Sequence, residues 1–124
     1  MKITIDHWCC DGTKGHRPPH QSATERRAAG SGSIILINGG TSVKARAGFA
    51  GTSVAFPAES AYGEMLHDAL AGEGIRVNQL VIPGGIPQLQ LANGIDGVAD
   101  RIWELHAVAG PFRTMLIPLE DGRE

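Results

Sequence analysis

The stretch AGEGIRVNQLVIPGGIP, residues 71–87, reads in order as the end of a helix, a strand and a tight turn. Gly72 and Gly74 predict the helix end, because glycine readily adopts the left-handed conformation that closes helices. The apolar run IRVNQLVI predicts a buried strand, and the Pro-Gly-Gly after it predicts a turn. In α/β proteins this order delivers backbone to ligands at the carboxyl ends of strands. The stretch therefore points to a cofactor site or to what is left of one.

Two further strands are predicted on either side of this stretch. GSIILIN, beginning at Gly32, is an apolar run bounded by glycine, which is typical of a strand covered on both faces. FRTMLI, residues 112–117, is a third candidate strand before a charged tail.

A helix is predicted between each pair of strands. The first, near residues 57–72, has apolar residues at steps of three and four, and we expect these to face the sheet. The second, near 96–107, would be capped by Asn93 or Asp96 and stopped by Gly110 and Pro111. The resulting order, β-α-β-α-β from residue 32, predicts a parallel sheet. The predicted inward residues are Ala58, Ala61, Tyr62, Met65, Leu66, Ala69 and Leu70 in the first helix and Ile95, Val98, Ala99, Ile102 and Leu105 in the second.

Composition excludes several classes of partner. The 124 residues carry 11 Lys and Arg against 13 Asp and Glu, a net charge of −2, so binding to nucleic acid is not expected. The sequence has no apolar run of the roughly 20 residues that a membrane helix needs, and no secretory signal, so we predict a cytoplasmic protein without a membrane contact. Cys9 and Cys10 are adjacent, and adjacent cysteines rarely form a structural disulfide.

Residues 1–31 differ in composition and periodicity from residues 32–124, which we predict to form the folded domain. The first segment is rich in Gly, Pro, His and charge without periodicity, and we expect it to be irregular or disordered. It contains a cluster of potential zinc ligands, but adjacent cysteines do not fit the usual ligand spacing, so we predict no metal site. The residues of that cluster are His7, Cys9, Cys10, His16 and His20.

The predicted elements together resemble the C-terminal half of a short-chain dehydrogenase/reductase, a Rossmann-type enzyme that uses NAD or NADP. The resemblance covers about residues 32–119 and rests on GSIILINGG, ALAGEGIRVNQLVIPGGI and ADRIWELH. It implies a partial Rossmann-like fold of three layers with a parallel sheet. By residue match, the backbone of Pro83, Gly84, Gly85 and Ile86 would approach the nicotinamide of the cofactor. A purely steric reason for the glycines of this turn stays open.

The family's chemistry needs a tyrosine as proton donor, a lysine four residues later and a serine after the preceding strand. Residue match places Phe56, Ser60 and either Gly39 or Gly40 at these three positions. Phenylalanine has no exchangeable proton and serine no positive charge, so no catalytic residue of the family is intact. Pro57 predicts that the helix begins or kinks there.

Other residues with suitable groups are less well placed. Thr41 and Ser42 carry hydroxyls at a shifted register, and nothing in the spacing recommends Lys44. We interpret Tyr62 as a core or interface residue, because no lysine lies within one helical turn of it.

The family's glycine-rich turn, which binds the pyrophosphate at a helix N-terminus, has no counterpart in the sequence. We therefore expect a truncated, short-chain dehydrogenase/reductase-like protein of oxidoreductase ancestry that is catalytically impaired alone. One alternative is a noncatalytic oligomerisation or interaction module that associates through the helix carrying Tyr62 and Met65. Another is an NAD(P)-dependent oxidoreductase completed by a partner chain, and a third is a small metal-binding protein. The open edge of GSIILIN also predicts a homo-oligomer, unless MKITI at the N-terminus pairs with it.

Overall fold

The computed structural model describes residues 30–85, 90 and 93–119. Within them the chain forms strand β1 (Gly32–Gly39), helix α1 (Ala50–Leu70), strand β2 (Ile75–Ile82), helix α2 (Gly94–Ala107) and strand β3 (Arg113–Met115). Short 3-10 turns occupy Gly40–Ser42, Ala47–Phe49 and Ala71–Glu73. The predicted β-α-β-α-β order is confirmed. The prediction for residues 1–31 concerns residues that, apart from Gly30 and Ser31, lie outside the described ones.

The sheet is parallel throughout, as predicted, with strand order β1-β2-β3. β1 pairs with β2 from Gly32 opposite Ile75 to Gly39 opposite Ile82. β3 is shorter than the predicted residues 112–117, although backbone bonds flank it on both sides. The amide of Gln79 donates to the carbonyl oxygen of Phe112 over 2.6 Å, and the amide of Leu116 donates to that of Val81 over 2.9 Å.

The two helices contact opposite faces of the sheet. Side chains alternate along a strand, so Val77 and Gln79 point to one face and Arg76 and Asn78 to the other. Gln79 bonds to a side chain of α1, whereas Arg76 bonds to carbonyl oxygens at the end of α2. The core on the α1 side consists of Leu66, Leu70, Ile75, Val77 and Phe112, with Ile34 and Leu36 packed against it.

Helix α1 begins at Ala50. The prediction that the helix begins at Pro57 is therefore wrong. Proline 57 lies inside the helix. The earlier turns are held by Ser53, whose hydroxyl accepts a bond from the Arg46 amide (2.9 Å) and donates to the Arg46 carbonyl oxygen (3.1 Å). These two hydrogen bonds connect the preceding loop to the first turns of the helix, which therefore extends to the N-terminal side of Pro57.

The face of α1 that packs on the sheet is rotated from the predicted one. Its buried residues are Ser60, Gly63, Leu66 and Leu70. A Cβ atom built on Gly63 would meet the side chain of Leu36 and lie 3.0 Å from Cζ of Phe112. The absence of a side chain at Gly63 therefore lets the helix approach the strands closely.

Several residues predicted to face the sheet are instead exposed. In α1 these include Tyr62 and Met65, the latter 50% exposed, together with Ala58, Ala61 and Ala69. In α2, Leu105 is buried and Val98 and Ile102 are half-buried, as predicted, but Ile95 and Ala99 are exposed.

The glycine end of α1 follows the turn chemistry expected from the sequence, whereas the predicted side-chain cap of α2 is not formed. Gly74, in the left-handed conformation with φ of 72°, ends the 3-10 turn after α1. A Cβ atom there would lie 2.5 Å from the carbonyl oxygen of Gly30. Asn93 precedes α2 in the left-handed conformation, and its side chain makes no capping hydrogen bond.

Candidate functional site at the carboxyl edge of the sheet

Three of the predicted site residues meet at the carboxyl ends of β1 and β2. A Cβ atom built on Gly39 lies 3.5 Å from Cε2 of Phe56, and one built on Gly40 lies 3.5 Å from Cα of Pro83. The end of β1 therefore lies against the first half of α1, and the residue that follows it lies against the turn after β2. This is the edge at which open parallel sheets bind ligands.

The Pro-Gly-Gly turn begins buried and becomes exposed. Pro83 is buried, while Gly84 and Gly85 are exposed, and Gly84 has a φ of 81°. A residue with a side chain is strained at that φ, so Gly84 has the steric explanation considered above. Ile86 lies outside the described residues.

The conformation of Gly39 does not require glycine. Its φ of −81° is open to any residue, and a Cβ atom there makes only ordinary van der Waals contacts. A serine at this position would fit without strain. The neighbouring Ser42 is buried and donates to the carbonyl oxygen of Gly39 over 2.8 Å, and the buried hydroxyl of Thr41 has no partner among the described residues.

Ser60, at the position that the family pattern gives to lysine, is committed to internal hydrogen bonds. It is 2% exposed, donates to Oε1 of Gln79 over 2.9 Å and accepts a 2.6 Å bond from Nη2 of Arg113. A guanidinium group thus stands beside Ser60, supplied by β3 and not by α1.

These bonds belong to a larger chain of hydrogen bonds, which we call the amide relay, defined by Glu59, Asn38, Gln79, Arg113 and Ser60. Asn38, Gln79 and Ser60 are buried, Glu59 is half-buried and Arg113 is exposed. Nδ2 of Asn38 donates to Oε2 of Glu59 (2.7 Å), and Nε2 of Gln79 donates to Oδ1 of Asn38 (2.8 Å). Nε of Arg113 donates to Oε1 of Gln79 (2.9 Å). Every N–H of the relay points toward the carboxylate and every C=O toward the guanidinium, so the terminal charges reinforce each bond between them.

Sequence reasoning did not identify the residues of the relay other than Ser60. A signal was present in the strands, because Asn38 and Gln79 are uncharged polar residues inside apolar runs that were predicted to be buried. A buried amide needs hydrogen-bonding partners. The pairing of these two residues with each other and with Arg113 depends on the strand register, which the sequence does not state.

The remaining sequence candidates do not join this group. Tyr62 is 38% exposed on the side of α1 away from Ser60, so the interpretation as a core residue is wrong and that as an interface residue stays a prediction. Lys44 is exposed in the loop before α1.

A cavity of about 580 Å³ lies at the opposite edge of the sheet, at the amino ends of β1 and β2. Its lining includes His67, Arg76, Asn78 and His106 and contains none of the residues that the family resemblance singled out. The carboxyl-edge contacts and this cavity are therefore separate features.

Within residues 30–85, 90 and 93–119, no group of three or more His, Cys, Asp or Glu side chains is arranged to hold a metal ion. The cluster of His7, Cys9, Cys10, His16 and His20 lies outside those residues. Among the described helices, none combines the length and the apolar character required to cross a membrane.

Comparisons of the chain with protein-family models, curated proteins and solved structures find no match.

Proposed function

We propose that the chain is a short-chain dehydrogenase/reductase-like protein of oxidoreductase ancestry, with a partial Rossmann-like fold and no turnover of its own. The observation that carries this proposal is the contact of Gly39 with Phe56 at the carboxyl edge of the sheet. Two positions assigned from separate sequence segments are neighbours in space, as the family's site requires. We further propose, from composition alone, that the chain functions in the cytoplasm.

The chemistry available at this edge supports the absence of turnover. A phenyl ring at position 56 has no proton to give to a substrate oxygen, and Gly39 offers no hydroxyl. Ser60 is buried, and its hydroxyl already donates a hydrogen bond to Gln79 and accepts one from Arg113. Proton transfer by the route of the resembled family has no donor here.

NAD or NADP is the cofactor that the proposal implies, held at its nicotinamide end by the turn of Pro83, Gly84 and Gly85. The family's pyrophosphate-binding turn has no counterpart in the sequence. A partner chain that carries that turn would complete the site, and this remains the alternative in which the protein takes part in redox catalysis.

The test uses variants that the structure accommodates. Wild-type protein and the Gly39→Ser/Phe56→Tyr variant are mixed with NADH or NADPH and a panel of aldehydes and ketones, and absorbance at the nicotinamide band is followed. We expect no turnover from either protein, since the variant restores the donor and the serine but neither the lysine nor the pyrophosphate turn. Steady oxidation of the cofactor by wild type would refute the proposal.

A second candidate function, a homo-oligomerisation module, is favoured by the outer face of α1. We define the outer stripe as Val54, Ala58, Tyr62, Met65 and Ala69, spaced at three and four residues along the helix. All five are exposed, with Val54 at 74%. An apolar stripe at this spacing fits the side of a second helix. The outer edge of β1 adds apolar surface, since Ile37 is 51% exposed and no described strand pairs there.

Light scattering over a range of concentrations tests this candidate. We expect the wild type to associate and Met65→Lys to shift the equilibrium toward monomer, because a charge in an apolar contact is costly. Glu64→Lys, a neighbouring exposed position outside the stripe, is the matched control and should leave association unchanged. A wild type that stays a 13.1 kDa monomer at all concentrations would eliminate the module.

A further inference from the structure

The cavity at the amino ends of β1 and β2 has a basic lining in which Arg76 is the one charged side chain among the described residues. His67 from α1, Arg76 from β2 and His106 from α2 contribute to it, and no carboxylate does so in the part of the chain that the structure describes. Its volume of about 580 Å³ falls within the range of small-molecule sites, roughly 300 to 1,000 Å³. The lining therefore favours a negatively charged ligand of modest size.

The end of α2 does not oppose such a ligand. Helix C-termini carry partial negative charge, which disfavours a nearby anion. Here Nη1 of Arg76 donates to the carbonyl oxygen of Ala107 over 3.3 Å, and Nη2 donates to that of His106. These bonds satisfy the terminal carbonyls and use two of the five N–H groups of the guanidinium, which leaves donors for a ligand.

The ring of His67 is held in place by its surroundings, whereas that of His106 is exposed and packs on one neighbouring ring. Nδ1 of His67 lies 2.6 Å from the carbonyl oxygen of Val77 and must donate to it, so Nε2 is the nitrogen left for a ligand. The ring of His67 also packs against Phe112, and that of His106 against Trp103. Fixed rings lose little freedom when a ligand binds.

Asn78 provides an independent indication of a ligand and of its chemistry. It lines the cavity, is 2% exposed and donates from Nδ2 to the carbonyl oxygen of Pro111 over 3.2 Å. Its Oδ1 is buried and has no hydrogen-bond partner among the described residues. A buried acceptor without a partner is costly, and a hydroxyl donor on the ligand would satisfy it once the Asn78 side chain shifts to bring Oδ1, which now has almost no exposed surface, to the cavity.

We propose that this cavity binds a small organic anion that carries carboxylate groups and a hydroxyl group. Arg76 makes the charge contact, the rings of His67 and His106 line the site beside it, and Asn78 accepts the hydroxyl. The site is separate from the carboxyl-edge contacts of Gly39 and Phe56, so it stands or falls independently of the oxidoreductase-like function.

Calorimetric titration of the full chain at constant ionic strength tests the proposal with two probes, citrate and tricarballylate. The two differ only in the hydroxyl group. We expect citrate to bind about tenfold more tightly, which corresponds to one hydrogen bond to an otherwise unpaired buried acceptor. The ring resonances of His67 and His106 should shift on the same titration curve. No heat and no shift with citrate at 20 mM would overturn the proposal, and equal affinity for the two probes would overturn the role of Asn78.

Variants locate the binding to the cavity. Arg76→Gln should weaken citrate binding about tenfold or more, since a charge-assisted contact is lost. Arg101→Gln, which removes an exposed arginine paired with Glu104 outside the cavity, is the control and should bind as wild type. Because Arg76 also bonds to the end of α2, His106→Gln gives a second variant that keeps the backbone carbonyl, and it too should weaken binding. Loss of affinity in the Arg101 variant equal to that in Arg76→Gln would show non-specific attraction and contradict the site.

Discussion

The two faces of α1 differ in a way that reverses the usual pattern. The inner face, which packs on the sheet, contains Ser60 and Gly63 between its two leucines, whereas the outer face carries Val54, Tyr62 and Met65. A hydrophobic helix face normally marks the buried side. In this protein the face with Ser60 is buried together with Leu66 and Leu70, and the strands beneath it supply hydrogen-bonding partners for Ser60, namely Gln79 and Arg113.

The rotation of α1 about its axis therefore depends on hydrogen-bonding partners in the strands and not on the apolar content of its faces alone. Turning α1 to bury Met65 would remove Ser60 from the amide relay and leave buried amides without partners. It would also bring a larger residue than Gly63 against Leu36 and Phe112.

Ser60→Lys should be the most damaging change. It places an ammonium group at a buried position beside the Arg113 guanidinium and breaks two hydrogen bonds, so we expect a loss of about 3 to 5 kcal/mol in the free energy of unfolding. Chemical denaturation followed by circular dichroism measures it. Ala61→Lys, one residue away and exposed, should cost less than about 0.5 kcal/mol. Similar losses in the two variants would contradict the buried role of Ser60.

Gln79→Leu removes the central member of the relay. The change leaves Oδ1 of Asn38 and the hydroxyl of Ser60 with fewer partners, and we expect a loss of about 2 to 3 kcal/mol by the same denaturation assay. Gln90→Leu, at an exposed position, is the matched control. A Gln79→Leu protein as stable as wild type would show that the relay contributes nothing.

Replacing glycine by alanine should change the free energy of unfolding in opposite directions at two positions of α1. Gly63→Ala introduces a Cβ against Leu36 and Phe112 and should destabilise by about 1 to 2 kcal/mol. Gly51→Ala, where nothing lies within 4 Å, should stabilise by about 0.5 to 1 kcal/mol through helix propensity. Thermal unfolding of both variants gives the comparison, and equal signs would disprove the close packing at Gly63.

Changes on the outer face should matter least for the stability of the monomer. Val54→Thr and Met65→Gln are expected to alter the free energy of unfolding by less than about 0.5 kcal/mol in dilute solution, because both side chains are exposed. Denaturation at a protein concentration below that of any association is the suitable measurement. A loss of more than about 1.5 kcal/mol would mean that these side chains are buried.

The order of elements and the parallel pairing could be predicted from the sequence, because the first two strands are largely apolar runs bounded by glycine or proline. The stretch IRVNQLVI, residues 75–82, matches β2 at both ends. These predictions depend on local patterns that a single segment contains.

The rotation of α1 and the amide relay could not be predicted, because both depend on residues distant in sequence. Ser60 and Arg113 are 53 residues apart, and Asn38 and Gln79 are 41 apart. Counting apolar residues in α1 favours the wrong face, since the face is decided by groups on β1, β2 and β3. The start of α1 was missed for a similar reason, because Ser53 bonds back across the loop to Arg46.

The proposed absence of turnover is tested most directly by measuring hydride transfer by the isolated chain. Purified protein is incubated with nicotinamide cofactor deuterated at C4 and with a panel of carbonyl compounds, and deuterium in the alcohol products is measured by mass spectrometry. This detects single turnovers that an absorbance assay would miss. We expect no deuterium above the level of a heat-denatured sample, because neither Phe56 nor Gly39 can deliver a proton to the substrate oxygen. Deuterated product formed only by the folded protein would contradict it.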